Sequence, residues 1–146
     1  MLTLGGYVAF DLPRAVTGLG ASLLIGITAT HLYVWASQDA VPRYFEVYAA
    51  AVIALCLVFA SCLGFGRKPR VAQAGWYCGS LLAAAVLAVD VVTRVVSLPG
   101  LAAVTGRWDF APATFALAFS GAFIGLHGSV LLGINVAYPQ RQHWTD

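Results

Sequence analysis

The sequence predicts an all-α membrane protein, a four-helix bundle running up-down-up-down, on three observations: extreme apolarity, four long apolar runs, and tryptophans and basic residues at their ends. Of its 146 residues, 60% are hydrophobic and 10% charged, and mean hydropathy is +0.83. That leaves too little polar material to cover a water-soluble globule of this size, so lipid is the expected solvent. The apolar residues form long runs, and a helical crossing needs roughly 20 residues, so helices are predicted and a β-barrel is not.

The first span is predicted over about 16–36, closing on Tyr33 and Trp35 before Ser37-Gln38-Asp39 and Val41-Pro42-Arg43 break it. The second covers about 44–65 and meets Gly66-Arg67-Lys68-Pro69-Arg70, a turn so short that it makes an antiparallel hairpin. The third covers about 73–98 and stops at Pro99-Gly100. A connection containing Arg107-Trp108-Asp109 follows, and Pro112 opens the fourth, over about 112–138, as a favourable first-turn residue. Residues 1–146 are read as one transmembrane domain. The opening stretch MLTLGGYVAF has no basic residue and no cleavage pattern, and is expected to lie along the interface.

Arg14, Arg67, Lys68, Arg70 and Arg141 fall on one face of this arrangement. Arg43 and Arg107 fall opposite, beside Asp39, Glu46 and Asp109. Basic excess marks the cytoplasmic side, so both termini are predicted there. Trp35, Trp76, Trp108 and Trp144 all land at predicted boundaries, where an amphipathic ring prefers the headgroup level. A formal charge of +2 gives no reason to expect nucleic acid as a partner, and topology accounts for the basic residues. Cys56, Cys62 and Cys78 lie in apolar runs without CxxC spacing and read as buried free thiols; no metal site is predicted.

Small residues recur every fourth position on the first span, at Gly18, Ser22, Gly26 and Thr30, and on the fourth, at Gly121, Gly125, Ser129 and Gly133. Such stripes let helix backbones approach in lipid, either inside the monomer's own bundle or against other membrane subunits or a second copy. Asp90 and Arg94, at i and i+4, suit an intramembrane ion pair, with either a structural role or one toward an ion, proton or ligand. His31, Arg43 and Glu46 fall at a similar depth and would form an outer polar cluster with that pair.

His31 and His127 raise a sharper idea, since imidazoles from two helices can ligate one b-type haem. At 1.5 Å per residue, His31 stands roughly 25 Å above Arg14 and His127 roughly 21 Å above Arg141, a mismatch that tilt absorbs. Against haem, both point away from their own small-residue stripes, and a lone membrane histidine is more often bonded to a neighbouring hydroxyl or carbonyl. The leading expectation is that no cofactor is bound. Enzyme signatures are missing: there is no HExxH, no GxSxG, no phosphate loop and no paired carboxylates.

The segment His31-Leu32-Tyr33-Val34-Trp35, followed by Val41-Pro42-Arg43 and an aromatic entry to the second span, resembles a family of small four-helix actinobacterial membrane proteins without an assigned activity. In that family the pattern is His-Leu-x-Leu-Trp before a turn of tyrosine, arginine and proline; here Val34 replaces the leucine and the turn is rearranged. The likeness carries across His31, Trp35 and Arg43 and implies a bacterial inner-membrane location, with no mechanism. The expected function is a non-catalytic subunit or accessory factor packing against a larger membrane assembly, such as a respiratory one. The alternatives are a haem electron carrier on His31 and His127, and a small oligomeric channel or transporter around Asp90 and Arg94.

Overall fold

The computed structural model describes residues 12–37, 42–100 and 105–138. The N-terminal stretch and Asp39, Arg141 and Trp144 lie outside them. Four helices and no strand are found among the described residues: α1 (Pro13–Ser37), α2 (Arg43–Phe65), α3 (Pro69–Val95) and α4 (Ala111–Leu131). Each is long and apolar enough to cross a membrane, and only 22–39% of the residues in each apolar stretch are buried inside the bundle. Most of the apolar surface therefore faces outward, toward lipid.

The helices form a ring in which α1 touches α2 and α4, and α3 touches α2 and α4. The starts of α1 and α3 and the ends of α2 and α4 share one end, called here the basic end because Arg14, Arg67, Lys68 and Arg70 sit there. Proline shapes three helix starts: Pro13 opens α1, Pro69 opens α3 and Pro112 lies in the first turn of α4, where a missing N–H costs nothing. The third span thus begins at Pro69, four residues before the expected Gln73, and ends at Val95 ahead of Pro99, where Gly100 turns at φ +81° against Pro42.

The end of α4 is a larger correction. The helix stops at Leu131, not near Tyr138, because Gly133 adopts φ +74°. The Gly133 N–H donates to the Val130 carbonyl (3.1 Å) and the Ile134 N–H to the Ser129 carbonyl (2.9 Å), which is a Schellman cap. Gly133 is therefore a chain-reversal residue and no member of a helical packing stripe. The chain beyond it folds beneath the bundle: Ala137 is fully buried, the Tyr138 N–H donates to Thr17 Oγ1 (3.1 Å), Trp76 Nε1 donates to the Tyr138 carbonyl (3.0 Å), and the Tyr138 hydroxyl donates to the Arg67 carbonyl (2.8 Å). Gly133→Ala is expected to destabilise this cap by about 1–2 kcal/mol, the usual cost of a left-handed turn at a residue with a Cβ. Hydrogen exchange should show it as faster exchange at Tyr138.

Large rings seat on glycines in the core. A Cβ at Gly20 would lie 2.7 Å from the Trp76 ring, one at Gly79 would lie 3.0 Å from Phe123, and one at Gly26 would lie 2.9 Å from Phe119. Leu24, Ile27, Val86, Cys56 and Phe123 are fully buried between these contacts. The three cysteines are free thiols; Cys56 is buried, Cys62 and Cys78 half-buried.

Candidate functional site

Polar side chains from all four helices gather at the end opposite the basic one. His31 comes from α1, Tyr48 from α2, Asp90 and Arg94 from α3, and Thr114 from α4. The His31 ring is buried, its Nδ1–H donates to the Ile27 carbonyl (2.9 Å), and its centroid lies 5.6 Å from that of Tyr48. Since a carbonyl only accepts, Nδ1 carries the proton and Nε2 the lone pair in the neutral ring. Asp90 lies within electrostatic reach of both Tyr48 and Arg94.

The expected ion pair between Asp90 and Arg94 is not closed, for no salt-bridge contact joins them. Arg94, 3% exposed, donates from Nη2 to Thr114 Oγ1 (3.2 Å) and stacks its guanidinium 4.6 Å from the centre of the Trp108 ring. The cause is the stretch 105–110, which folds back over the end of α3. Its Gly106 N–H donates to the Arg94 carbonyl (2.9 Å), and Thr114 is anchored by the Trp108 and Phe110 carbonyls (3.0 and 3.2 Å). Held over the ring in this way, the guanidinium stays within electrostatic reach of Asp90 but makes no salt-bridge contact with it. Asp90 Oδ2, Arg94 Nε and the Tyr48 hydroxyl are buried without a hydrogen-bond partner.

Arg43 and Glu46 do not join this group: Arg43 is exposed, and neither side chain makes a hydrogen bond or ion pair among the described residues. Tyr48, Thr114 and Trp108 take their place. Tyr48 is legible as four and eight residues before the inward-facing Val52 and Cys56, whereas the sequence places Trp108 only at the headgroup level. On the connection itself, Arg107 donates to Asp109 (3.4 Å) at the surface and holds that carboxyl below the usual carboxylate range.

His127 lies near the basic end, in a different environment. Its Nδ1 is 2.6 Å from Ser80 Oγ, its ring stacks on Trp76 (5.4 Å between centroids), and Tyr77 meets it edge-on (5.1 Å). A recess of about 30 Å³ opens beside it, with Gln73 and Tyr77 of α3, Leu131 of α4 and Tyr138 among its walls. Both histidines thus bond as lone membrane histidines usually do, one to a carbonyl and one to a hydroxyl. They are not brought together. Gly26 of α1 faces Phe119 of α4; counting in opposite directions from that contact, five residues to His31 and eight to His127 separate them by about 20 Å along the bundle. Two axial ligands of one iron must meet at a single atom, so His31 and His127 do not form the alternative haem arrangement.

The small-residue stripes divide between inside and outside. Gly26 receives Phe119, but Gly18 and Ser22 are exposed, and a Cβ at Gly18 would meet nothing within 4 Å. Thr30 and Ser129 are half-buried, and each hydroxyl bonds its own helix's backbone. Gly121, Gly125 and Gly128 also have open space beside them. At about 100° per residue these three fall within roughly 60° of one another on α4, a single outward strip.

These features define a class: a four-span integral membrane protein with a buried polar cluster toward one end and a glycine strip turned away from its own core. No family model matches the chain, and no curated protein or solved structure does.

Proposed function

We propose that the chain is a non-catalytic membrane subunit that packs against a larger assembly in the bilayer, a respiratory complex being one such assembly. The observation that carries this reading is the outward strip of Gly121, Gly125 and Gly128, beside which the bundle places nothing. A helical glycine costs about 1 kcal/mol relative to alanine, and the glycines at 20, 26 and 79 offset that cost by seating rings. Those on the α4 strip seat no ring among the described residues. In lipid, a strip of this kind admits a neighbouring helix to close backbone contact.

Following the positive-inside rule, the basic end lies in the cytoplasm, and with it the start of α1 and the end of α4. The likeness around His31, Trp35 and Arg43 supports a bacterial inner membrane. In native membranes the wild type is expected to run as part of a larger species, and Gly121→Leu/Gly125→Leu as the monomer with unchanged helicity, since the new side chains enter open space. If both run alike, the reading fails.

A second reading, a small oligomeric channel or transporter, is favoured by one observation: the unpartnered atoms of Asp90 and Arg94 within the bundle. Its test is solute flux in proteoliposomes, which Asp90→Asn should abolish.

A further inference from the structure

We propose that the groove between α3 and α4 at the basic end binds the headgroup of an anionic phospholipid, with one acyl chain running along α3. The site does not depend on the glycine strip, which lies about 100° or more around α4 from His127.

The groove is built in the order of an amphiphile. Arg70, Gln73 and Tyr77, at i, i+3 and i+7, share one strip of α3 within roughly 60°, and all three are exposed. Arg70 belongs to the first turn of the helix, at the level where headgroups lie, with Arg67 and Lys68 exposed in the adjoining turn. The acids of the described residues, Glu46, Asp90 and Asp109, all belong to the opposite end, so nothing described there competes for these cations.

One turn deeper, Gln73 and Tyr77 form one wall of the 30 Å³ recess and His127 part of the other. That exceeds the roughly 10–15 Å³ that one water-sized group needs, and suits a single headgroup oxygen. The imidazole is held by Ser80 through Nδ1 and by Trp76 against its face, which leaves Nε2 without a hydrogen-bond partner among the described residues, in a side chain that lines the recess. Gln73 adds an amide that donates or accepts.

Beyond the recess the strip turns apolar. Leu81 follows Tyr77 by four residues and is 72% exposed. Cation, then polar recess, then apolar strip matches a phospholipid along its length, and free phosphate has nothing to place on Leu81. Basic pockets between transmembrane helices near the membrane surface recognise anionic headgroups in this manner.

The test is native mass spectrometry of the full chain released from bilayers of phosphatidylcholine mixed with phosphatidylglycerol. Wild type should retain phosphatidylglycerol preferentially. Arg70→Gln should lower that affinity about fivefold, the usual share of one cation near a membrane surface. Gln73→Ala should lower it further, while Arg43→Gln, at the other end, should change nothing. Both α3 side chains are exposed, so these variants keep the fold. Equal retention of the two lipids, or retention unaffected by Arg70→Gln and Gln73→Ala, would overturn the proposal. Displacement of the lipid by inorganic phosphate alone would do so too, by assigning the site to the free anion.

Discussion

Gly20→Leu is expected to prevent the bundle from closing, whereas Gly18→Leu, two residues away, is expected to leave it folded. The Trp76 ring occupies the space that a side chain at Gly20 would need, with 2.7 Å to the Cβ position, while Gly18 faces open space. Trp76 has little freedom to retreat, because its Nε1 donates to the Tyr138 carbonyl and its face stacks on both Phe123 and His127. Even Gly20→Ala should cost about 1–3 kcal/mol, the range for overpacking a filled core. Gly18→Ala should add up to about 1 kcal/mol through helix propensity alone. Unfolding in mixed micelles, followed by circular dichroism, reads both changes, and equal behaviour of the pair would mean that Trp76 is not seated on α1.

Arg94→Met is expected to destabilise by about 2–5 kcal/mol, because it removes both the charged hydrogen bond to Thr114 and the guanidinium stacked on the Trp108 ring. Asp90→Asn should cost distinctly less. Arg94 keeps its hydrogen bond to Thr114 and its place over the Trp108 ring when Asp90 is neutral, whereas Asp90 has no hydrogen-bond partner for Oδ2 and depends on the guanidinium nearby. A closed ion pair would instead give similar losses for the two single variants. The same unfolding experiment separates these cases, and Asp90→Asn combined with Arg94→Met should recover part of the Arg94→Met loss.

The four spans were legible because lipid offers the backbone no hydrogen-bond partner, so long apolar runs must become helices, and proline and glycine mark where they stop. Three of the four predicted spans fall within a few residues of α1, α2 and α3. The fourth predicted span overruns because residues 134–138, apart from Asn135, continue the apolar run, and only the positive φ of Gly133 reveals the reversal. The histidine bonding was readable as a type, a hydroxyl or a carbonyl, but the identities of Ser80 and Ile27 were not.

Helix rotation was the part that remained hidden. In water an apolar stripe tells which face turns inward; here each helix is apolar on every side, and that signal vanishes. A four-residue repeat also drifts by about 40° per step, so Gly18 and Gly26 on one apparent stripe end on different surfaces. The sequence by itself determined the number of crossings, their direction in the chain and the clustering of charge at one end, since these follow from the cost of placing backbone and charge in lipid. Tertiary structure alone decided which glycines seat rings, that Arg94 turns to Trp108 and Thr114 in place of Asp90, and that His31 and His127 serve separate sites. These depend on shape complementarity between helices, which no spacing along one helix encodes.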